Sequence, residues 1–206
     1  MAGQTEGPPF VFLGGHACVD WVNTVIADGG EEVDLVRNFS DLARWLAEAG
    51  LASPDVARRL AGMGGKAAAE TVEAAKAFRG VLRKGLERMR SSRDVPATLV
   101  ESVNQRLAQP LGVRSRLVRK EGRLEKQSEA VLDHPARVLS LLAERAADFL
   151  AHADPGLVEK CANPACILYF YDTSKNHTRR WCSMQVCGNR MKVAAHQRRG
   201  RSAGKD

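Results

Sequence analysis

Four of the five cysteines lie in the last quarter of this 206-residue chain, where they form two close pairs. Four residues separate Cys161 from Cys166, and four separate Cys182 from Cys187. Two thiolate pairs joined by a polar loop suit one tetrahedral Zn²⁺ ion, which takes sulfur ligands at about 2.3 Å. This spacing lies at the upper limit of the usual range within a pair. The sequence therefore predicts one structural zinc ion bound by these four cysteines.

The same cysteines could instead form disulfide bonds, and the compartment decides between the two chemistries. The N-terminus lacks the basic and apolar regions of a secretion signal, because its apolar run at 10–13 is too short. No apolar run reaches the roughly 18 residues of a membrane-spanning helix. We therefore expect a cytoplasmic protein that does not contact membranes, in which a reducing environment favours metal binding.

The net charge is concentrated at the C-terminal end. Basic and acidic residues balance in residues 1–156, so the whole formal net charge of +7 belongs to residues 157–206. A neutral body with a basic end favours polyanion binding by that end, although a basic tail can also serve only solubility. Arginine contacts phosphates and guanine edges, and Asn189 could read adenine or cap a helix beside the metal. The candidate nucleic-acid-binding residues are Arg179, Arg180, Asn189, Arg190, Lys192, Arg198, Arg199 and Arg201.

The segment around the cysteines has the pattern of a small metal-capped hairpin followed by a helix. Residues 167–171 are rich in strand-forming side chains, residues 172–176 suit a turn, and residues 178–181 would return as the second strand. The composition after Cys187 predicts a helix to about residue 199. About fifty residues bury too small a core to fold alone, so the metal would supply the missing stability.

The rest of the chain, residues 1–156, reads as predominantly helical with one small β-hairpin. A short strand is predicted at 10–13, and a hairpin at 114–127 with Gly122 in its turn. Ser40 is the expected N-cap of the second helix, and Asp154-Pro155-Gly156 the expected domain boundary. Apolar spacing and capping residues predict helices at 17–26, 40–49, 54–60, 66–90, 96–107 and 135–152.

Polar residues interrupt the apolar pattern of the first predicted helix at Asp20, Asn23 and Thr24, next to Trp21. They could form caps and buried hydrogen bonds, or they could line a pocket for a small-molecule effector. The remaining cysteine, Cys18, suits a small buried residue. No paired carboxylates or catalytic triad occur at a typical spacing, so we expect no enzymatic activity.

Longer motifs resemble two known domains. Cys187-Gly-Asn-Arg190 resembles the signature of the CGNR zinc finger, and the likeness extends to Cys161-Ala-Asn-Pro-Ala-Cys166, Tyr171-Asp-Thr-Ser-Lys-Asn176 and Arg179-Arg-Trp-Cys-Ser-Met184. Cys18-Val-Asp-Trp-Val-Asn-Thr24 resembles the opening Leu-Asp-Phe-Val-Asn-Thr motif of the ABATE domain, with Trp21 in the place of Phe. Asp41-Leu-Ala-Arg-Trp-Leu46 is also similar to that domain.

The resemblance implies a bacterial, stress-induced transcription regulator with an N-terminal sensing domain and a C-terminal DNA-binding zinc finger. Together with the charge distribution, it predicts a zinc-dependent DNA-binding protein, with residues 1–156 regulatory and residues 157–206 contacting DNA. An RNA-binding or ribosome-associated zinc protein is the alternative. An enzyme whose finger is only structural is a further one.

Overall fold

The N-terminal part is built from helices, as the apolar spacing indicates. The computed structural model describes residues 9–109, 111–194 and 197. The helices are α1 (Ala17–Val22), α2 (Phe39–Glu48), α3 (Pro54–Ala61), α4 (Gly65–Ser92), α5 (Ala97–Leu107) and α6 (Arg137–His152). The predominantly helical fold class is confirmed. Among the described residues, no helix combines the length and the apolar character needed to cross a membrane.

Strands occur in antiparallel pairs within the described ranges. The pairs are β1 (Val25–Asp28) with β2 (Glu31–Asp34), β3 (Val113–Lys120) with β4 (Arg123–Ala130), and β5 (Val158–Lys160) with β6 (Tyr169–Tyr171). The β3–β4 pair is the hairpin expected at 114–127, and Gly122 takes a positive φ of 80° in its turn. Residues 10–13, where a short strand was expected, are not in a strand.

The first helix is shorter than its apolar pattern predicts, so the expectation of a helix at 17–26 is wrong. It ends at Val22, and Val25 already lies in β1. The Thr24 hydroxyl donates to the Trp21 carbonyl at 2.8 Å, which closes the end of the helix. Gly29 and Gly30 then take positive φ values of 61° and 95°, which suits a two-residue hairpin turn.

The second helix begins one residue before the expected cap at Ser40, and the prediction of that cap is wrong. The side chain of Asn38 accepts the backbone N–H of Asp41 at 2.9 Å, which makes Asn38 the N-cap. The Asp41 carboxylate in turn accepts the backbone N–H of Arg37 at 3.0 Å. Asparagine is at least as good an N-cap as serine. Asn38 directly precedes the first residue of the helix, so Asn38 is the cap and Ser40 lies within the helix.

Helix α4 is central to the helical core. Its Phe78, Leu82 and Leu86 are each at most 2% exposed, and α1, α2, α5 and α6 all contact it. Arg79 of the same helix is buried, and its guanidinium bonds Asp34 at 2.9 Å and the Thr24 hydroxyl at 2.6 Å. A buried charge needs such partners, because desolvation without them costs several kcal/mol. Arg79 therefore fixes the β1–β2 hairpin against α4.

The core of the helical part continues into the cysteine-rich part. Side chains of β6 alternate, as they do along any strand, so that neighbouring residues enter different clusters. Tyr169 belongs to the helical core, whereas Phe170 packs with Leu168 and the cysteines in a second apolar cluster. Val158 of β5 also lies in the helical core. The cysteine-rich part therefore has its own apolar cluster and also contributes side chains to the helical core.

Candidate metal centre and nucleic-acid interface

The four cysteines of the sequence pattern meet at one point. Their sulfur atoms all lie within 4.8 Å of one another. The Sγ of Cys182 is 3.7 Å from that of Cys166 and 3.6 Å from that of Cys187. A tetrahedral ion with metal–sulfur bonds of about 2.3 Å separates its ligands by about 3.8 Å. The cluster therefore has the dimensions of a metal site with four sulfur ligands.

Hydrogen bonds to the sulfurs prepare them to act as thiolates. The Asn163 side-chain amide donates to the Cys187 sulfur at 3.4 Å, and the backbone N–H of Cys182 donates to the Cys161 sulfur at 3.4 Å. Asn163 is buried, and its carbonyl oxygen also accepts the N–H of Ala165 at 3.1 Å. Asn163 stands in the motif between Cys161 and Cys166, but the sequence does not indicate this contact with a cysteine of the second pair.

The acidities of the cysteines differ because their sulfurs share one small volume. Hydrogen bonds from Cys166 and Cys182 lower the pKa of Cys161, which favours one thiolate. That negative sulfur and the hydrogen bonds it receives raise the pKa of Cys166 to about 12 and raise the pKa of Cys182 as well. Further ionisation therefore needs a cation among the sulfurs, and a bound metal supplies this charge.

The strand that pairs with β6 is not the predicted one. Residues 178–181 were expected to return as the second strand, but β5, before the first cysteine, takes this position. The Asp172 carboxylate accepts the backbone N–H groups of Ser174 at 2.8 Å and Arg179 at 2.9 Å, which folds this segment into a closed loop. Because the backbone N–H of Arg179 is bonded to Asp172, it does not form a hydrogen bond with a neighbouring strand. The observed hairpin therefore joins β5 and β6 around the first cysteine pair, and the expected hairpin between the two pairs is wrong.

A helical segment follows the last cysteine, as expected. A short π-helical turn spans Met184–Gly188, and residues 189–194 are α-helical. The Ser183 side chain accepts the N–H of Val186 and caps the turn. A Cβ at Gly188 would lie 3.1 Å from the Trp181 ring and 2.3 Å from the Met184 sulfur, so this turn packs closely around glycine.

The part of the chain that carries the four cysteines, from residue 157 onward, is called the metal module below. It is fixed to the helical part by direct hydrogen bonds. The Asn23 side chain donates to the Tyr169 carbonyl at 2.8 Å and accepts the Tyr169 N–H at 3.0 Å, as a neighbouring strand would. The Tyr169 hydroxyl donates to Glu87 of α4 at 2.8 Å, and Arg90 pairs with the same carboxylate at 2.7 Å. Burial raises the pKa of Tyr169 to about 12, so the phenol keeps its proton.

Three more contacts hold the module in place. The N–H of Tyr171 donates to the Gly14 carbonyl at 2.8 Å, and the Tyr171 ring meets Phe149 of α6 edge-on at a centroid distance of 5.6 Å. Arg93, at the end of α4, pairs with Glu159 at 3.4 Å. The module therefore contacts α1, α4 and α6 through separate groups.

The predicted effector-pocket residues are all buried, and Asn23 among them bonds the metal module. Asp20, Trp21, Asn23 and Thr24 are at most 8% exposed. The Asp20 carboxylate accepts the Gly14 N–H at 2.7 Å, and burial raises its pKa to about 6. These hydrogen bonds match the alternative of buried structural polar groups. Two cavities of the described structure are lined by other residues, and the effector pocket stays a prediction.

The predicted nucleic-acid-binding residues divide into two groups. The Arg179 guanidinium donates to the carbonyls of Leu13, Trp181 and Cys182 at 2.8, 3.0 and 2.6 Å, so its N–H groups serve the fold. The exposed members are Arg180, Asn189, Arg190 and Lys192. Arg198, Arg199 and Arg201 lie outside the described residues. Neighbouring arginines thus differ in role, which residue type alone does not reveal.

A four-sulfur metal site on a hairpin-and-helix module, docked on a helical core, defines a zinc-finger-type protein. Comparison with protein families agrees with this class. Residues 158–200 match the CGNR zinc finger. Residues 15–153, well over half of the chain, match ABATE, a family described as "Putative stress-induced transcription regulator". The chain belongs to the ABATE family and carries a CGNR zinc finger. No curated protein matches the chain.

Proposed function

We propose that the protein is a zinc-dependent DNA-binding transcription regulator. The observation that carries the proposal is the cluster of four sulfurs within 4.8 Å, built into a module with an exposed basic surface. Four thiolates in tetrahedral geometry suit Zn²⁺ or an iron–sulfur centre, and the zinc-finger family favours zinc. The metal holds together the two cysteine pairs, and its binding free energy contributes to folding.

The proposal assigns DNA contact to residues 157–206. The net charge of +7 belongs to this part, and Arg180, Arg190 and Lys192 are exposed on it. Such cations bind phosphates and release counterions, so affinity depends strongly on salt. If six phosphates are neutralised, the logarithm of the association constant should fall against the logarithm of salt concentration with a slope of about −5.

Residues 1–156 form the regulatory part in this proposal, and they act without enzymatic chemistry. The support is their family and the hydrogen-bonded junction with the metal module. A small-molecule effector or another signal that changes the packing of α1 or α4 would reach the finger through Asn23 and Tyr169. Such couplings typically amount to about 1–3 kcal/mol.

The test uses the zinc-loaded full-length chain. Selection from sheared genomic DNA, followed by titration of the enriched fragments over a range of salt concentrations, should give a salt-dependent, sequence-biased binding curve. A competition arm with structured RNA decides between the two nucleic acids. Absence of DNA binding, or a clear preference for RNA, would contradict the proposal.

A further inference from the structure

A cleft of about 330 Å³ opens on the surface of the metal module. Its walls come from the end of β5 and from the loop between Asp172 and the second cysteine pair. Its lining includes Glu159, Lys160, Asp172, Thr178, Arg179 and Arg180. The sequence did not single out Lys160, because it lies before the first cysteine and outside the recognised motifs.

The acidic residues of this cleft already have partners. Glu159 pairs with Arg93 at 3.4 Å. The Asp172 carboxylate accepts the N–H groups of Ser174 and Arg179, and these bonds lower its pKa against the opposing effect of burial. Glu159 is therefore compensated by a cation, whereas Asp172 keeps its negative charge and directs its oxygens at backbone N–H groups of its own loop.

The cations of the cleft differ in availability. Arg179 donates to three carbonyls and stacks over the Phe170 ring at 4.3 Å. Its guanidinium therefore stabilises the loop. Lys160 and Arg180 are exposed, and no ion pair joins either to a carboxylate in the described part of the chain. An exposed ammonium, which attracts Glu87 without forming an ion pair with it, and an exposed guanidinium thus line the same cleft, together with the Thr178 hydroxyl.

We infer that this cleft binds a backbone phosphate of DNA, with Lys160, Arg180 and Thr178 as the contacting residues. The inference rests on the proposed function and names the face that would meet the nucleic acid. A guanidinium fork can bind two phosphate oxygens at once, while lysine adds a point charge and threonine a neutral donor. The Arg180 guanidinium also lies 5.4 Å from the Trp181 ring. This contact restricts the side chain before binding, so less conformational entropy is lost when a phosphate binds.

The geometry of the loop explains why this assignment excludes Arg179. Its guanidinium joins the loop to Leu13 of the N-terminal segment, and it holds the backbone on which Arg180 stands. Phosphate contacts fix the position of a protein on the duplex without reading its sequence. The cleft would therefore orient the module, while Asn189 and Arg190 remain free for base edges.

The experiment titrates a fluorescent DNA duplex with the zinc-loaded full-length protein at several salt concentrations. Lys160→Ala and Arg180→Ala are the test variants. Lys175→Ala is the matched control, because Lys175 is an exposed cation of the same module that does not line the cleft. Metal content and thermal midpoint are measured for each variant, and Lys160→Ala alone suffices if Arg180→Ala does not fold.

We expect each test variant to weaken DNA binding about tenfold at low salt and to reduce the salt slope by about 1. Lys175→Ala should change affinity less than about twofold. Arg180→Lys should recover part of the affinity, since it keeps the charge but loses the fork.

Two results would overturn the inference in distinguishable ways. If the wild-type protein binds DNA and both test variants behave as Lys175→Ala does, the cleft is not the phosphate site and the proposed function stands. If the zinc-loaded wild-type protein binds no duplex DNA, or prefers structured RNA, the proposed function and the inference both fail.

Discussion

The side chain of Asn23 pairs with the backbone of Tyr169, 146 residues further along the chain, through one donated and one accepted hydrogen bond. An amide side chain here takes the place of a neighbouring strand. Both residues are buried, so removing one partner leaves a buried donor and acceptor unsatisfied at a cost in free energy. This pair joins the first motif of the helical part to the metal-capped hairpin.

Replacing Asn23 by alanine should lower the free energy of unfolding by about 2–4 kcal/mol, because a buried carbonyl and N–H lose their partners. Asn23→Asp should be at least as damaging, since a carboxylate would face the Tyr169 carbonyl. Urea unfolding of the zinc-loaded protein measures both. Asn104→Ala, at an exposed position of α5, is the control and should stay within about 0.5 kcal/mol. Equal stability of Asn23→Ala and Asn104→Ala would contradict a stabilising role for the pair.

The four-cysteine site predicts how much zinc the protein contains, and the fifth cysteine provides a control. Protein purified without added metal should contain about one zinc per chain, and Cys161→Ser or Cys187→Ser should lose most of it. Cys18→Ala should keep it, because Cys18 is 3% exposed in the helical core and burial raises the pKa of its thiol to about 12. Metal analysis by mass spectrometry decides, and iron in place of zinc would reject the zinc assignment.

Two glycines should respond in opposite directions to alanine. A Cβ at Gly14 would lie 2.9 Å from the Asp20 backbone nitrogen and from the Val19 Cβ, so Gly14→Ala should destabilise by about 1–3 kcal/mol. Gly80 is exposed in α4 with no atom within 4 Å of its added Cβ. Gly80→Ala should therefore raise stability by up to about 1 kcal/mol. Thermal unfolding compares the two, and a stable Gly14→Ala would show that this loop can move.

Asp20 should give stability a defined dependence on pH. Burial raises its pKa to about 6 in the folded protein, above the ordinary value of 3.8, so the folded state binds its proton more tightly. The contribution of Asp20 to stability should therefore fall as pH rises through 4 to 6, and stay low above that. Asp20→Asn removes this dependence and keeps an acceptor for the Gly14 N–H.

The measurement is the difference in unfolding free energy between the wild-type protein and Asp20→Asn, because effects of pH on the metal site cancel in it. The difference should shift in favour of the variant by about 1 kcal/mol or more between pH 5 and pH 7. A difference that does not vary with pH would mean that Asp20 has an ordinary acidity in the folded protein.

The sequence predicted those features that depend on neighbouring residues. The cysteine pairs and the turn at Gly122 are local patterns, and the structure contains them. The cluster of sulfurs also followed, since two short pairs joined by one loop leave few other arrangements.

The features that sequence reasoning missed depend on distant partners. Helix α1 ends early because the side chain of Asn23 is hydrogen-bonded to Tyr169 and that of Thr24 to Arg79. No local pattern in the sequence indicates these distant partners. The strand at Val158 is only three residues long, so it was overlooked in favour of 178–181. The effector pocket was inferred from polar residues in an apolar segment, and buried hydrogen bonds produce the same pattern.

The separation of 146 residues between Asn23 and Tyr169 has a consequence for synthesis on the ribosome. At about 5–20 residues per second, the partner of Asn23 is made roughly 7–30 s later. During this interval α1 and the neighbouring part of α4 lack the strands β6 and β5 that pack against them. The nascent helical part thus keeps apolar surface exposed until the last quarter of the chain has been synthesised. Newly made protein in zinc-starved cells would remain at this stage, open to chaperones and proteases.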